Sequence, residues 1–160
     1  MPKASTCLWF ARDAEEAVHF YVSLVPGSSL GEILRAPGPW PGGEPGDVIL
    51  LTFTLGGQSF QALNGGVPAD YGMAASISVS CTDQAEVDRV WDALIRHGGS
   101  EIMCGWLRDR WGVPWQIVPE ALPRLLADAD SAVAARVFAA MQSMIKLDVA
   151  ALQRAADGSS

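Results

Sequence analysis

The stretch DAEEAVHFYVSL, residues 13–24, returns in altered form as DQAEVDRVWDAL, residues 83–94, seventy residues further along the chain. Both stretches begin with Asp and carry Glu three residues later, a pattern typical of helix N-termini whose side chains accept the first free N–H groups. Apolar residues then recur three and four positions apart, as on the buried face of a helix. The two stretches predict equivalent helices, although any two capped amphipathic helices share some of these features.

Short strand-like runs flank both predicted helices in the same order. Residues 5–10 and 76–81 precede the helices, and Pro26-Gly27 and Gly98-Gly99 end them. Further strand-like runs lie at residues 30–34, 48–55, 59–63, 102–107 and 114–118. Gly56-Gly57 stands where a tight hairpin turn needs glycine. Each half is therefore predicted as a strand, a helix and two or three antiparallel strands.

The composition is that of a folded, acidic protein. The chain has 160 residues and 17.0 kDa, with 49% hydrophobic and 18% charged residues, a balance that excludes intrinsic disorder. The formal net charge of −7 leaves no basic patch for nucleic acid and no Lys/Arg-rich face for an anionic membrane. We therefore predict that neither nucleic acid nor a membrane is a partner.

The cysteines indicate a reducing environment. Cys7, Cys81 and Cys104 are widely spaced and form no Cys-x-x-Cys pair, which predicts neither a disulfide framework nor a zinc knuckle. Each is expected to pack as a small apolar side chain. Since the first residues contain no apolar leader, a cytoplasmic location is predicted.

Two segments fall outside the repeated pattern. Residues 36–47 contain four Pro and four Gly and predict a loop, which is either a simple connection or places Trp40 over a pocket or a neighbouring subunit. From residue 120 the chain is rich in Ala and Leu and predicts helices, with Asp130 and Asp148 as caps. Val133, Val137, Met141 and Met144 share one face of this helical tail.

These features together resemble the vicinal oxygen chelate superfamily, which comprises glyoxalase I, bleomycin-resistance proteins and extradiol dioxygenases. The nearest likeness is to its PhnB-like branch, often labelled 3-demethylubiquinone-9 3-methyltransferase. The matching sequences are Leu8-Trp-Phe10 with Ala14–Ala17 and Phe20-Tyr21, then Phe53–Gln58 with Phe60–Gly66, then Cys104–Pro119, and in the tail Met144–Asp148. The resemblance covers residues 4 to 152, roughly the whole chain.

The resemblance implies an α+β fold. Two βαβββ modules, about residues 4–66 and 74–119, would form a half-open, eight-stranded, antiparallel-rich barrel whose inner face holds the site. Residues 120–160 would be a C-terminal helical extension, and residues 1–119 with this extension would make one domain overall. The family's usual assembly, together with unpaired sheet edges and an apolar tail, predicts a homodimer.

Metal-dependent members of the superfamily hold one divalent ion with His, Glu or Gln side chains on the first and last strands of each module. The resemblance maps these positions to Ser5 or Thr6, Phe60, Ser76 and Gln116, with Gln61 and Asn64 as polar neighbours. None of them is a carboxylate or an imidazole, and uncharged oxygen donors alone bind divalent ions poorly. His19 and His97 lie on or after the predicted helices. We therefore predict no metal and no other cofactor.

Methyl transfer is not expected as the mechanism, despite the label of the branch. Enzymes that use S-adenosylmethionine in the usual way have a Gly-rich turn after the first strand of a doubly wound sheet. Here Ala11-Arg12-Asp13 follows the first strand. The label is interpreted as an inherited name.

The alternation of side chains along a strand divides the candidate residues between two faces. Ser5, Cys7 and Trp9 share the inner face of the first strand, while Leu8 and Phe10 are expected to pack beneath the helix. In the second module the inner face is predicted to carry Ser76, Ser78, Ser80, Pro114 and Gln116. A turn that pairs Arg108 with Val113 would place Gly105 opposite Gln116, with Arg108, Asp109 and Arg110 around the hairpin tip as surface groups.

The predicted cleft has an aromatic wall and neutral hydrogen-bonding groups. Its candidate ligand-binding residues are Ser5, Cys7, Trp9, Phe60, Asn64, Ser76, Ser78 and Gln116. With no obvious general base among them, we predict a protein that binds a small, mainly apolar oxygenated molecule, and we assign no catalytic residue. Two alternatives stay open. One is a metal-dependent lyase, isomerase or dioxygenase of the same superfamily, and the other is a purely structural or interaction role for the helical tail.

Overall fold

The computed structural model describes residues 2–159, which form two compact units that meet in sequence at Asp70 and Tyr71. The first unit contains β1 (Thr6–Phe10), α1 (Ala14–Leu24), β2 (Ser29–Arg35), β3 (Val48–Leu55) and β4 (Gln58–Asn64). Its open four-stranded sheet has the order β1-β4-β3-β2. The β1 strand runs parallel to β4, and the other neighbours are antiparallel.

The second unit repeats this plan and adds three helices. It contains β5 (Ile77–Cys81), α2 (Gln84–Arg96), β6 (Ser100–Glu101), β7 (Trp106–Arg108), β8 (Pro114–Pro119), α3 (Ala121–Leu126), α4 (Ser131–Gln142) and α5 (Val149–Asp157). The sheet order β5-β8-β7-β6 corresponds strand for strand to that of the first unit. The predicted α+β fold with two βαβββ modules and a helical C-terminal region is confirmed, and each sheet is mixed.

Each repeated helix packs on one face of the sheet of its own unit. Leu8 and Phe10 are buried, and the Phe10 ring lies 6.5 Å from that of the fully buried Tyr21 on α1. In the second unit, Ile77 and Val79 of β5 are buried in the same way. Because side chains alternate along a strand, the opposite face of each sheet carries the remaining positions. That other face is called the open face below.

The two helix N-termini are built differently, although the sequence predicted the same cap for both. Asp83 accepts a hydrogen bond from the N–H of Glu86 at 2.9 Å, and the Glu86 carboxylate accepts one from the N–H of Thr82. The Asp13 side chain makes no capping hydrogen bond. The N–H of Ala14 instead donates to Asn64 Oδ1 at 2.9 Å. The first helix is therefore tied to β4 rather than capped by its own Asp.

The β3–β4 hairpin turns at Gly56-Gly57, as predicted. Both glycines have positive φ angles, 52° and 88°, and Leu55 pairs with Gln58 across the turn. Two consecutive positive φ angles are the geometry of a type I′ turn, in which residues with a Cβ are disfavoured.

The helical tail forms an apolar cluster of its own in the second unit. The predicted caps are confirmed, since Asp130 accepts from the N–H of Ala132 and Asp148 from the N–H of Ala151. The buried members of the cluster are Leu122, Val137, Leu147, Leu152 and Ala156, and its partly buried members include Val118, Val133, Met141 and Met144. The predicted apolar face of α4 therefore packs against α3, α5 and the end of β8.

Polar contacts attach this tail to the rest of the second unit. Backbone N–H groups of Cys104 and Gly105 donate to the carbonyls of Met144 and Ile145 at 2.8 and 2.7 Å. Lys146 Nζ lies 3.1 Å from Asp88 Oδ1 and 3.0 Å from Asp92 Oδ1 on α2. Partial burial lowers the pKa of Lys146, but the hydrogen bonds to these two carboxylates outweigh it, so the net direction is upward.

No helix within residues 2–159 combines the length and the apolar character that crossing a bilayer requires.

Candidate ligand-binding faces of the two sheets

The open face of the first sheet carries the residues that alternation predicted for β1. Cys7 is exposed and the Trp9 side chain is 38% exposed, whereas their neighbours Leu8 and Phe10 are buried. Cys7 pairs with Gln61 of β4, and Trp9 pairs with Leu63. Because paired residues on adjacent strands share a face, Gln61 joins Cys7 on the open side.

The side chains of Phe60 and Asn64 lie on the opposite face, beneath α1, which corrects their predicted orientation, although Phe60 still borders a cavity of the first unit. The register pairs Thr6 with Phe60 and Phe10 with Asn64. The Phe60 ring stacks on that of Phe53 at 5.3 Å. Phe60 was predicted to lie in the cleft because it occupies one of the family's metal positions, and Asn64 was predicted there as its polar neighbour. The parallel pairing of β1 with β4 instead determines on which side of the sheet both side chains lie.

Asn64 has a structural role in this position. Its side chain is 6% exposed, it accepts from the N–H of Ala14, and its Nδ2 donates to the carbonyl of Val48 at 2.9 Å. One amide therefore joins the start of α1 to the start of β3. Both ends of the Asn64 amide are engaged by backbone groups.

A cavity of about 460 Å³ opens along the first sheet. Its lining residues are Pro2, Lys3, Ala4 and Ser5 ahead of β1; Ser29 and Gly31 on β2; Thr52, Phe53 and Thr54 on β3; and Ser59, Phe60 and Gln61 on β4. Five of the lining residues carry a hydroxyl group and one carries an amide, and among the described residues of the lining Lys3 alone is charged. The cavity thus offers mainly neutral donors and acceptors.

Both threonines of this cavity are partly engaged by β2: Thr54 Oγ1 accepts from the N–H of Ser29 at 3.2 Å, and Thr52 contacts a bulge. The register between β2 and β3 shifts after Leu30, and the N–H of Glu32 donates to Thr52 Oγ1 at 2.8 Å. A Cβ at Gly31 would collide with the same hydroxyl, so the bulge needs glycine there. The Gln61 amide has no hydrogen-bond partner within residues 2–159, which leaves both its donor and its acceptor available to a ligand.

Trp9 lies on the predicted face, but outside this cavity. Its indole Nε1 donates to the carbonyl of Val67 at 2.8 Å. The ring covers Gly65 so closely that a Cβ at Gly65 would overlap it. The predicted aromatic wall is therefore a ring held against the end of β4 rather than part of the cavity lining.

The open face of the second sheet brings three of the predicted residues together. Ser78 pairs with Gln116 across β5 and β8. Gln116 Nε2 donates to Ser76 Oγ at 2.9 Å. Ser78 and Ser80 are exposed, while Ile117 between Gln116 and Val118 is fully buried on the helix side. The predicted orientation of this strand pair is confirmed.

Trp106 and Arg108 share this open face, and sequence reasoning missed both. The register pairs Trp106 with Gln116 and Arg108 with Pro114, whereas Gly105 was expected opposite Gln116. Arg108 is therefore a strand residue and not a surface group of the hairpin tip. Its Nη1 donates to the carbonyl of Gly112 at 3.0 Å. An aromatic ring and a guanidinium thus flank Gln116.

The Asp109 side chain explains the register in which β7 pairs with β8. The residue is 5% exposed, and its Oδ1 accepts from the N–H groups of Trp111 and Val113 at 2.9 and 3.0 Å. Its Oδ2 accepts from Trp115 Nε1 at 2.9 Å. The carboxylate therefore folds residues 109–113 into a five-residue turn. The sequence signal that could have indicated this longer turn is an Asp two residues before a Trp-Gly pair in a hairpin loop.

The three cysteines differ in their surroundings. Cys81 is fully buried, as predicted, and burial followed by the negative charge of Glu86 raises the pKa of its thiol to about 12. Cys7 is exposed and Cys104 is half-buried, so the expectation of a packed apolar side chain is wrong for Cys7. Partial desolvation also raises the pKa of Cys7. A raised pKa disfavours the thiolate that nucleophilic catalysis needs.

The residues at the superfamily's metal positions do not fit a divalent ion. Ser5 is neutral, Phe60 faces the core, and Gln116 holds Ser76 through a hydrogen bond in which the amide is the donor. Within residues 2–159, no three His, Cys, Asp or Glu side chains come together as a metal-binding group. The predicted absence of a metal stays a prediction.

Known proteins resemble this chain in sequence and in structure. Residues 2–118 match the family model described as 3-demethylubiquinone-9 3-methyltransferase. The chain belongs to this PhnB-like family. The predicted resemblance is thereby confirmed for both modules. A comparison with curated proteins found no match.

Several solved structures are similar to this chain. A PhnB protein of Bacillus cereus is 36% identical, with 74% of this chain and 99% of that chain covered and a TM-score of 0.65. A protein of Pseudomonas aeruginosa is 24% identical, with coverages of 75% and 98% and a TM-score of 0.60. A glyoxalase/bleomycin resistance protein/dioxygenase family enzyme of Burkholderia phytofirmans is 15% identical, with coverages of 69% and 92% and a TM-score of 0.49.

Proposed function

We propose that this PhnB-like protein binds a small, mainly apolar oxygenated molecule in the cavity along the first sheet, without a metal. The observation that carries the proposal is the Gln61 amide, which faces this cavity with no partner within residues 2–159. A half-exposed amide beside hydroxyl groups orients carbonyl or hydroxyl oxygens through hydrogen bonds.

The polarity of the cavity favours a ligand with few charges. Its hydroxyls belong to Ser5, Ser29, Thr52, Thr54 and Ser59. Lys3 supplies one positive charge at this cavity, which suits at most one negatively charged oxygen. A phosphate or phosphonate dianion binds best to several guanidinium or ammonium groups at short range, and we therefore expect ketones and alcohols to bind better.

The open face of the second sheet supports ligand binding by a different set of groups. One N–H of Gln116 is used by Ser76, and further donors on this face are Ser78, Ser80 and the guanidinium of Arg108. Trp106 supplies a flat apolar surface beside them. Aromatic contacts of this kind contribute about 0.5–1.5 kcal/mol beyond the area that they bury. We therefore propose that this face binds an aromatic group, independently of the cavity in the first unit.

A methyltransferase mechanism finds no support in the fold of either unit. Each sheet is mixed rather than doubly wound, and the turn between β1 and α1 is Ala11-Arg12-Asp13 without glycine. The Gly-rich phosphate- and nucleoside-binding turn of doubly wound folds has no counterpart at this position. We accordingly propose binding rather than methyl transfer.

Replacing Gln61 by Leu should weaken binding of acetophenone by about tenfold, because the ketone oxygen then loses its amide donor. Calorimetric titration measures the dissociation constant. Gln58→Leu is the matched control, since Gln58 lies on the same strand, is exposed and does not line the cavity. Equal binding by both variants, or tighter binding of phenylphosphonate than of acetophenone by the unaltered protein, would contradict the proposal.

Calorimetric titration with nickel, zinc and manganese salts is expected to show no tight site. Neutral Ser, Thr and amide oxygens around the cavity cannot offset the dehydration of a divalent ion. One tight site per chain that is lost in Gln116→Ala would instead support the metal-dependent enzyme that the superfamily offers as the alternative.

The protein is proposed to act as a homodimer. Phe138, Ile145 and Met103 of the second unit are 50%, 44% and 47% exposed, and large apolar side chains at a surface favour association. Light scattering at micromolar concentration is expected to give twice the 17.0 kDa of one chain. A mass of one chain would refute this expectation, and Phe138→Ser should shift the equilibrium toward monomer.

A further inference from the structure

A second cavity, of about 420 Å³, lies in the first unit beneath the loop of residues 36–47. It is lined by Arg12, Glu15, Arg35, Trp40, Gly46, Asp47, Val48 and Asn64. None of these residues lines the cavity along the open face of the sheet. The loop therefore covers a pocket, one of the two roles considered for it from the sequence.

The loop is an ordered structure that can hold a site in place. Ala36 and Asp47 close its base, with the N–H of Ala36 donating to the carbonyl of Asp47 at 2.8 Å. Trp40 and Gly43 exchange two backbone hydrogen bonds at 3.3 and 3.1 Å. The Asp47 carboxylate also accepts from the N–H of Glu44 at 2.9 Å. These contacts fix the backbone of the loop at Trp40 relative to the base of the loop.

Three polar groups converge beside Gly43. A Cβ placed on Gly43 would meet Arg12 Nη2, Asp47 Oδ2 and, at 3.2 Å, Trp40 Nε1. Arg12 and Asp47 form a loose pair at 3.8 Å, with side chains that are 61% and 45% exposed. Trp40 Nε1 is buried and has no acceptor among residues 2–159. A buried indole N–H without an acceptor is costly unless a water or a ligand supplies one.

The pocket has more donors than acceptors. Arg35 uses Nη1 to bind the carbonyl of Gly46 at 3.1 Å, but a guanidinium has five N–H groups, so most of those of Arg35 and Arg12 stay available. Asp47 already accepts from Glu44 and faces Arg12. The missing partner of this pocket is therefore a group that accepts hydrogen bonds and carries negative charge.

The charges of the residues that line the pocket indicate whether it binds a singly or a doubly charged anion. Two arginines and two acids, Glu15 and Asp47, line the pocket, and the whole chain has a formal net charge of −7. A singly charged carboxylate fits this balance better than a phosphate dianion, and its planar oxygens match a guanidinium fork. Trp40 and Val48 provide apolar surface for the rest of the ligand.

We propose that this second cavity is a binding site for a small organic monocarboxylate. Its carboxylate would be bound by Arg12, Arg35 and the indole N–H of Trp40, and its apolar part would contact Trp40 and Val48. The site is separate from the cavity of the proposed function, and each can fail without affecting the other.

Benzoate is the probe, and the indole region of the N–H correlation spectrum is the readout. The chain has six Trp residues, and the signal absent from Trp40→Phe identifies Trp40. Benzoate should shift this signal saturably, because the indole N–H gains an acceptor. Benzamide, which has the same shape without the charge, should bind at least about tenfold more weakly.

The variants separate the site from general effects of charge. Arg35→Gln should weaken benzoate binding by about tenfold or more, while Arg124→Gln, which removes an exposed arginine of the second unit, should leave it unchanged. Gly43→Ala should abolish the shift, because the added Cβ occupies the place where the three groups converge.

Three results would overturn the proposal. The first is no saturable shift of the Trp40 signal up to tens of millimolar benzoate, which would mean that a water satisfies the indole. The second is equal binding of benzamide and benzoate. The third is inorganic phosphate binding more tightly than benzoate, with the same dependence on Arg35.

Discussion

Replacing Asp109 by Ala is expected to lower the free energy of unfolding by about 3–4 kcal/mol. The substitution removes the carboxylate that accepts three hydrogen bonds, from the N–H groups of Trp111 and Val113 and from the indole Nε1 of Trp115. Trp115 is fully buried and Val113 is 2% exposed, and each buried donor that loses its partner costs about 1–3 kcal/mol. Because one carboxylate serves all three, the loss falls on the whole β7–β8 turn.

Chemical denaturation measures this loss of stability, and two further variants are measured for comparison. Asp109→Asn keeps an oxygen for the two backbone donors but can turn an amide N–H₂ toward Trp115 Nε1, so an intermediate loss is expected. Asp13→Ala is the matched control, because the Asp13 side chain makes no capping hydrogen bond, and it should change stability by less than about 0.5 kcal/mol. A loss below about 1 kcal/mol for Asp109→Ala would show that the network contributes little.

Leu147→Ala is expected to destabilise the protein by about 3 kcal/mol. Leu147 is 1% exposed in the apolar cluster of the helical tail, together with Leu122, Val137 and Leu152. Buried Leu-to-Ala substitutions cost about 2–5 kcal/mol, since they remove apolar contacts and leave a cavity. The Leu147 side chain also lies against Gly105, so the substitution weakens the attachment of the tail to the sheet segment before β7.

Ile145→Ala provides the matched control on the same segment. Ile145 is 44% exposed, although its carbonyl accepts from the N–H of Gly105. The substitution keeps that backbone hydrogen bond, and at a protein concentration low enough for the chain to be monomeric we expect a change within about 0.5 kcal/mol. If both variants unfold at the same denaturant concentration as the unaltered protein, the cluster does not stabilise the second unit.

Local periodicity predicted the elements of this fold well because its signals act over a few residues. The alternation around Cys7 and Trp9, the Gly56-Gly57 turn and the caps at Asp83, Asp130 and Asp148 all depend on near neighbours. The seventy-residue repeat predicted two equivalent modules, and in the structure both sheets have the same strand order.

The candidate site was harder to predict because pairing between distant strands decides it. Phe60 and Asn64 were expected in the cleft, but the β1–β4 register turns them toward α1. Trp106 and Arg108 were overlooked because a single carboxylate, Asp109, lengthens the turn and shifts the facing residue by one. A shift of one residue exchanges the two faces of a strand, so strand periodicity alone cannot settle such positions.

The hydrogen bonds from Cys104 and Gly105 to the tail have a consequence for any shortened form of the chain. The family match ends at residue 118, yet the donors at Cys104 and Gly105 have their acceptors at Met144 and Ile145. A chain cut after residue 119 would expose two backbone donors and the apolar side chain of Val118 together. Unpaired donors beside an apolar surface invite pairing with another chain, so we expect such a fragment to aggregate.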